Sequence, residues 1–192
     1  MSHSSNTFPS QVSPTITLPA ILVRTAVAHT ITYVVMGVLA AFTLDYARAF
    51  ADPTVRLLMR QTSDPLVMAG PLFQPIRGVL FGIVLYLLRE AFFNRRRGYL
   101  VLWVTLMIVG VAGTFGPAPG SLEGMIYTIL PIGFQLRGLP EVLLQTFFLS
   151  WLVCYWVRHP EKRWLNWTLG IACFLALLGP VLGLLVGRPG TH

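Results

Sequence analysis

From Leu165 to Gly187 the chain carries no charged residue. A helix rises about 1.5 Å per residue and the hydrocarbon core of a bilayer is about 30 Å thick, so about 20 apolar residues cross it. Such a run leaves few choices of fold. Backbone amides in hydrocarbon find no water and must pair within their own segment, which a continuous run achieves only as a helix. Four other segments are similarly long and apolar, with only a few charged residues: about Ile21 to Leu44, Ile76 to Phe93, Tyr99 to Phe115 and Leu139 to Val157. The sequence predicts an all-α, polytopic transmembrane helix bundle of about five spans, with a re-entrant or interfacial segment between the third and fourth.

Composition agrees with that expectation. Charged residues make up 11% of the chain, against about 25% in soluble domains. Too few remain to cover a water-facing surface. The 192 residues suit one membrane domain. It is expected over residues 19–188, between a Ser-, Thr- and Pro-rich tail at 1–18 and a short tail at 189–192. The tail at 1–18 has no basic n-region, and the apolar run after Arg24 is long for a signal peptide, so the first helix is read as retained.

The net charge of +7 raises nucleic acid as a partner, and its placement argues against it. Thirteen of the 14 basic residues are Arg, and most stand at the ends of apolar runs. That is the pattern of topology signals and headgroup contacts. Membrane lipids, further copies of the chain or subunits of a membrane complex are the expected partners, and nucleic acid is not.

Two short loops set the orientation. One carries Arg89, Arg95, Arg96 and Arg97, the other Arg158, Lys162 and Arg163. Basic loops stay in the cytoplasm, and these two are separated by two spans, so they agree. The N-terminus is then inside and the C-terminus outside. In a bacterium the membrane would be the inner, cytoplasmic one. Eight basic residues fall inside and six outside, so the density of the short loops decides the matter.

Two longer connections, about 45–75 and 116–138, therefore face outward. In the first, Asp52-Pro53 has the form of an N-cap and first helical residue. The stretch "TVRLLMRQ" then reads as a short interfacial helix with Arg56 and Arg60 one turn apart. In the second, Ser121 can cap a helix that puts Glu123 in its first turn, with Pro131 and Gly133 ending or kinking it. "LEGMIYTILPIGFQL" is too short to cross, and a sixth crossing would separate the two basic loops. Gly78 and Gly82, and Gly179, Gly183 and Gly187, have the four-residue spacing that lets helix backbones approach.

Charges at membrane depth are costly and usually partnered. Arg77, Glu123, Arg137 and Glu141, with Gln135 and Gln145, are all expected at the outer level. They can hold the re-entrant segment against the bundle. Equally, they can line an outward pocket in which Arg77 and Arg137 grip an anion and Glu123 or Glu141 carries a proton. His29, about 7.5 Å deeper than Arg24 along the first helix, is the candidate for proton-linked behaviour. It shares a face with Thr25, Thr32 and Met36.

Several chemistries are set aside. "GPAPGSLEG" has no Lys and no GK[ST] for a phosphate loop. A second in-span His for haem, a lysine in a span for retinal and a metal-ligand cluster are all missing from the sequence, so neither a cofactor nor a metal is expected. Cys154 and Cys173 lie in apolar runs at no ligand spacing. Three classes of function remain: handling of an anionic or lipid-like ligand at an outward pocket, a non-catalytic subunit of a larger membrane complex, and an integral membrane enzyme acting on a lipid-like substrate.

Overall fold

Helix α1 (Leu18–Thr43) opens with Pro19 in its first turn, where a missing amide hydrogen costs nothing. The computed structural model describes residues 16–186. The expected tail at 189–192, and all but the last three residues of that at 1–18, lie outside the described residues. After α1 come α2 (Tyr46–Phe50), α3 (Pro53–Leu58), α4 (Pro65–Met68) and a 3-10 turn (Gly70–Phe73) that leads into α5 (Gln74–Leu87). Then follow α6 (Arg89–Phe93), α7 (Gly98–Met107) continued by a π turn (Ile108–Ala112), α8 (Leu122–Tyr127), α9 (Ile132–Arg137), α10 (Leu139–Arg158) and α11 (Arg163–Val186). Among the described residues all regular structure is helical.

Among the described residues four helical stretches are long and apolar enough to cross a membrane: Leu18–Thr43, Gly70–Leu87, Ile132–Arg158 and Arg163–Leu185. The stretch Gly98–Ala112 is apolar but shorter. Its ladder widens into the π turn and stops where the Gly113 amide bonds to the Ile108 carbonyl at 2.7 Å. The expected second span breaks at Leu88, which leaves the α-helical region and divides it into α5 and α6.

α1 is the hub and packs on α5, α10 and α11, while α10 also packs on α7. Gly78 and Gly82 create the closest of these approaches. A Cβ added at Gly78 would lie 2.5 Å from Ala26 Cα, and one at Gly82 would lie 3.0 Å from Leu22 Cα. The glycine pair therefore joins two helices of the same chain. The apolar core gathers Ile21 and Ala28 of α1, Leu85, Phe92 and Phe93, Leu102 of α7, and Leu149, Val153, Cys154 and Val157 of α10. α11 is apolar all round, and none of its most apolar window is buried within the protein.

One end of the bundle is basic. Arg158, the last residue of α10, donates to the carbonyls of Phe93 at 3.1 Å, Arg96 at 3.2 Å and Phe92 at 3.3 Å, and also to that of Arg95. These carbonyls close α6 and the turn after it, where helix ends leave acceptors unpaired. Arg24 lies over the Trp156 ring, 5.8 Å from its centroid. Both basic loops and Arg24 thus share one end.

The other end is built from the two long connections. Asp52 caps α3, accepting from the Thr54 amide at 2.9 Å. α3 stops at Leu58, so Arg60 lies beyond it and pairs with Asp64 at 3.0 Å. The Ser121 hydroxyl caps α8, accepting from the Gly124 amide at 2.9 Å, with Glu123 in the first turn. α8 ends at Tyr127, three residues earlier than the Pro131-Gly133 breaker suggests, and Pro131 instead caps the start of α9. Phe50 and Phe134 meet edge to face at 5.4 Å and join the two connections.

Candidate functional site

The close crossing of α1 and α5 brings Gln74 to His29. His29 Nε2 lies 3.0 Å from Gln74 Oε1, and Gln74 Nε2 donates to the Gly70 carbonyl at 3.0 Å. His29 is 2% exposed and sits near the middle of α1. Its Nδ1 has no hydrogen-bond partner among the described residues, nor has Thr25 Oγ1 one turn before it. The Phe81 ring closes over the imidazole edge at 5.1 Å.

Next to this pair a cavity of about 280 Å3 opens between α1, α5, α10 and the π turn after α7. His29 and Tyr33 line it from α1, Arg77 and Phe81 from α5, and Glu141 and Gln145 from α10. Leu106, Val111 and Leu149 form apolar wall, and Ala118 and Pro119 of the long connection reach its rim. Glu141, Gln145, Tyr33 and Arg77 lie in the half of each helix away from the basic end, and His29, Phe81 and Leu149 close the cavity near the helix midpoints. The packed core fills the other half.

The guanidinium of Arg77 lies over the Phe81 ring, 5.4 Å from its centroid. Among the described residues no hydrogen bond or ion pair engages it, and the one ion pair within 4.0 Å is Arg60–Asp64. Glu141 occupies the first turn of α10, where the helix dipole favours a carboxylate. The Tyr46 hydroxyl donates to it from α2. Burial, and then the Glu141 carboxylate beside it, push the Tyr46 phenol above the usual tyrosine range.

The structure brings Arg77, Glu141, Gln145 and His29 to one cavity. Glu123 is half-buried on α8 and does not line it. Arg137 is exposed, donates to the Leu44 carbonyl at 3.5 Å and lines two neighbouring pockets of about 320 and 200 Å3. Gln135 is buried and donates to the Leu130 carbonyl at 3.1 Å, with its Oε1 unpartnered among the described residues. Sequence reasoning missed Tyr33, Gln74, Phe81 and Tyr46. Tyr33 is in reach of it, one helical turn from His29 on the same face. Gln74 is not, because the apolar run of the second span starts at Ile76 and places Gln74 in the connection before it.

Among the described residues no group of three or more His, Cys, Asp or Glu could hold a metal ion. The arrangement offers instead an unengaged cation, a carboxylate with its own donor, and an imidazole nitrogen with none, set against apolar walls. No family model matches the chain, and neither curated proteins nor solved structures yield a match.

Proposed function

We propose that the chain is a small multi-pass integral membrane protein that binds an anionic ligand with an apolar body in the cavity between α1, α5 and α10. The observation that carries this reading is Arg77. A guanidinium at membrane depth is costly unless partnered, and Arg77, exposed within the protein, lines the cavity with no partner among the described residues. The bound anion supplies that partner, and Phe81, Leu106 and Leu149 receive its apolar part.

The topology proposed with it has five crossings. α7 and its π turn span about 22 Å at about 1.5 Å per residue, short of the membrane core. Its start lies by Arg158, which holds the preceding carbonyls, whereas Gly120 packs on Leu139 at the opposite end of α10. The segment between them therefore runs the length of α10, which supports a crossing. Leu122, Ile126, Ile129 and Ile132 are exposed apolar residues on the next segment, which suits a re-entrant or interfacial position. With the basic end in the cytoplasm, the N-terminus is inside, the C-terminus outside, and the cavity lies in the outer half.

The test is equilibrium binding of hexanoate to the purified protein in nanodiscs. Arg77→Gln removes a charge-assisted contact of about 1.5–3 kcal/mol, so affinity falls about 10- to 150-fold. Equal affinity in the wild type and the variant contradicts the assignment. α11 favours a second reading, a subunit of a larger complex: Gly179 has open space around it, and so, apart from the end of Met68 at 4.0 Å, has Gly183. A partner protein that co-purifies and crosslinks to α11 supports it.

A further inference from the structure

We infer that the cavity takes a small carboxylate together with a proton, and that the proton goes to Nδ1 of His29. This inference rests on the ligand-binding reading above and adds the substrate class and the coupling.

Size selects the class of anion. Ligand pockets run from about 300 to 1,000 Å3, and this cavity, at about 280 Å3, lies just below that range. It can enclose a carboxylate on a short apolar chain and is too small to enclose a phospholipid. A single arginine fork matches the two oxygens of one carboxylate.

The hydrogen-bond pattern selects the proton acceptor. The Gly70 carbonyl can only accept, so the Gln74 nitrogen faces it and the Gln74 oxygen faces His29. His29 Nε2 must then be the nitrogen that carries hydrogen, because two acceptors cannot bond to each other. In the neutral imidazole this leaves Nδ1 with a bare lone pair, and no donor among the described residues meets it. Glu141, the other base in the cavity, accepts from Tyr46 at one carboxylate oxygen, whereas Nδ1 of His29 meets no donor among the described residues.

Charge balance supplies the coupling. The groups that face His29 and the cavity are Arg77 and Gln74 of α5, Tyr33 of α1 and Glu141 of α10, while α7 and its π turn contribute no titratable group to the lining. On α11, Cys173 faces Thr30. With Arg77 positive, Glu141 negative and His29 neutral, the empty cavity has no net charge. A carboxylate alone would leave it at minus one in a low-dielectric place, which is unfavourable. The acid RCOOH thus ends as RCOO− on Arg77 and H+ on Nδ1, with Nε2–H still bonded to Gln74. At neutral pH, where the free acid is ionised, the proton comes from solvent.

Titration calorimetry of the protein in nanodiscs, with hexanoate as probe in two buffers of different ionisation enthalpy, counts that proton. About one proton taken up per bound hexanoate at pH 7 is expected. Binding with no uptake overturns the inference and leaves the ligand-binding reading standing, whereas no binding removes both. His29→Gln should abolish the uptake and weaken hexanoate binding at pH 7, because the cavity would then hold a carboxylate with no proton to offset it. Uptake that survives His29→Gln and vanishes in Glu141→Gln assigns the proton to Glu141 and overturns the inference. Should His29→Gln fail to fold, the histidine 15N spectrum of the unmutated protein decides. Hexanoate should convert one imidazole from a single to a double N–H, and an unchanged spectrum contradicts the assignment. An oleate arm separates free acids from membrane fatty acids: oleate binding without hexanoate binding overturns the small-acid class.

Discussion

Gly78 lies so close to Ala26 that a methyl group on it would sit 2.5 Å from the Ala26 Cα. The crossing of α1 and α5 depends on that missing methyl, and the meeting of His29 with Gln74 depends on the crossing. Gly78→Ala pushes backbone against backbone, and overpacking of this kind costs about 1–3 kcal/mol. Gly179→Ala, with open space around it, should stay within about 0.5 kcal/mol. Unfolding of both variants in detergent, by heat or by denaturing surfactant, makes the comparison. Equal losses would show that the crossing tolerates a side chain.

Arg158 closes the opposite half. Its guanidinium satisfies carbonyls of Phe92, Phe93, Arg95 and Arg96. Arg158→Met leaves several acceptors unpaired and should cost about 1–3 kcal/mol. Arg158→Lys should recover only part of this, because an ammonium lacks the planar fork. Thermal unfolding gives the loss, and protease sensitivity of residues 92–98 shows where it falls.

Tyr46 makes stability depend on pH in the alkaline range. Its phenol is held above the usual range by burial and by Glu141, so the folded state binds that proton more tightly than the unfolded one. The resulting stability is complete at pH values below about 10, the ordinary tyrosine value, and is lost as pH rises above it. Tyr46→Phe should be less stable at pH 8 and show a shallower decline above pH 10. Melting curves between these values measure the difference, and parallel declines would assign the pH dependence to other groups.

Glu123 and Arg77 should behave differently. Both were candidates for one network, but only Arg77 lines the cavity. Glu123→Gln should leave hexanoate affinity unchanged, while Arg77→Gln weakens it. Arg137→Met should also spare the affinity and lower stability slightly, since it loses one long contact to Leu44. Equal loss of binding in all three variants would return Glu123 and Arg137 to the site.

Topology has its own test. A cysteine at Asn94, in the exposed basic turn, should react with an impermeant maleimide only from the cytoplasmic side. One at Gly116, exposed in the long connection, should react only from outside. Labelling of both from the same side would mean that α7 does not cross.

Much of the architecture could be read before any coordinates. The helix limits near Leu18, Leu139 and Arg163, and the caps at Asp52 and Ser121, follow from local patterns of apolar runs and side-chain oxygens. What sequence alone did not reveal depends on non-local geometry. Helix α5 begins earlier than its apolar run, since Gly70–Phe73 forms a 3-10 turn ahead of it. That shift moves Arg77 from the start of a span into its interior. Glu141 finds Tyr46 across the bundle, a pairing no short-range pattern encodes. The four-residue glycine spacing identified a close approach but not which helix it approaches.

The central claim is that an anion sits on Arg77 in the cavity between α1, α5 and α10. Photolabelling with a diazirine analogue of hexanoate, followed by peptide mapping, tests it most directly. The account predicts label on Phe81, Leu106 and Leu149, competed away by hexanoate and lost in Arg77→Gln. Label spread along the lipid-facing residues of α11, or unaffected by Arg77→Gln, would contradict it.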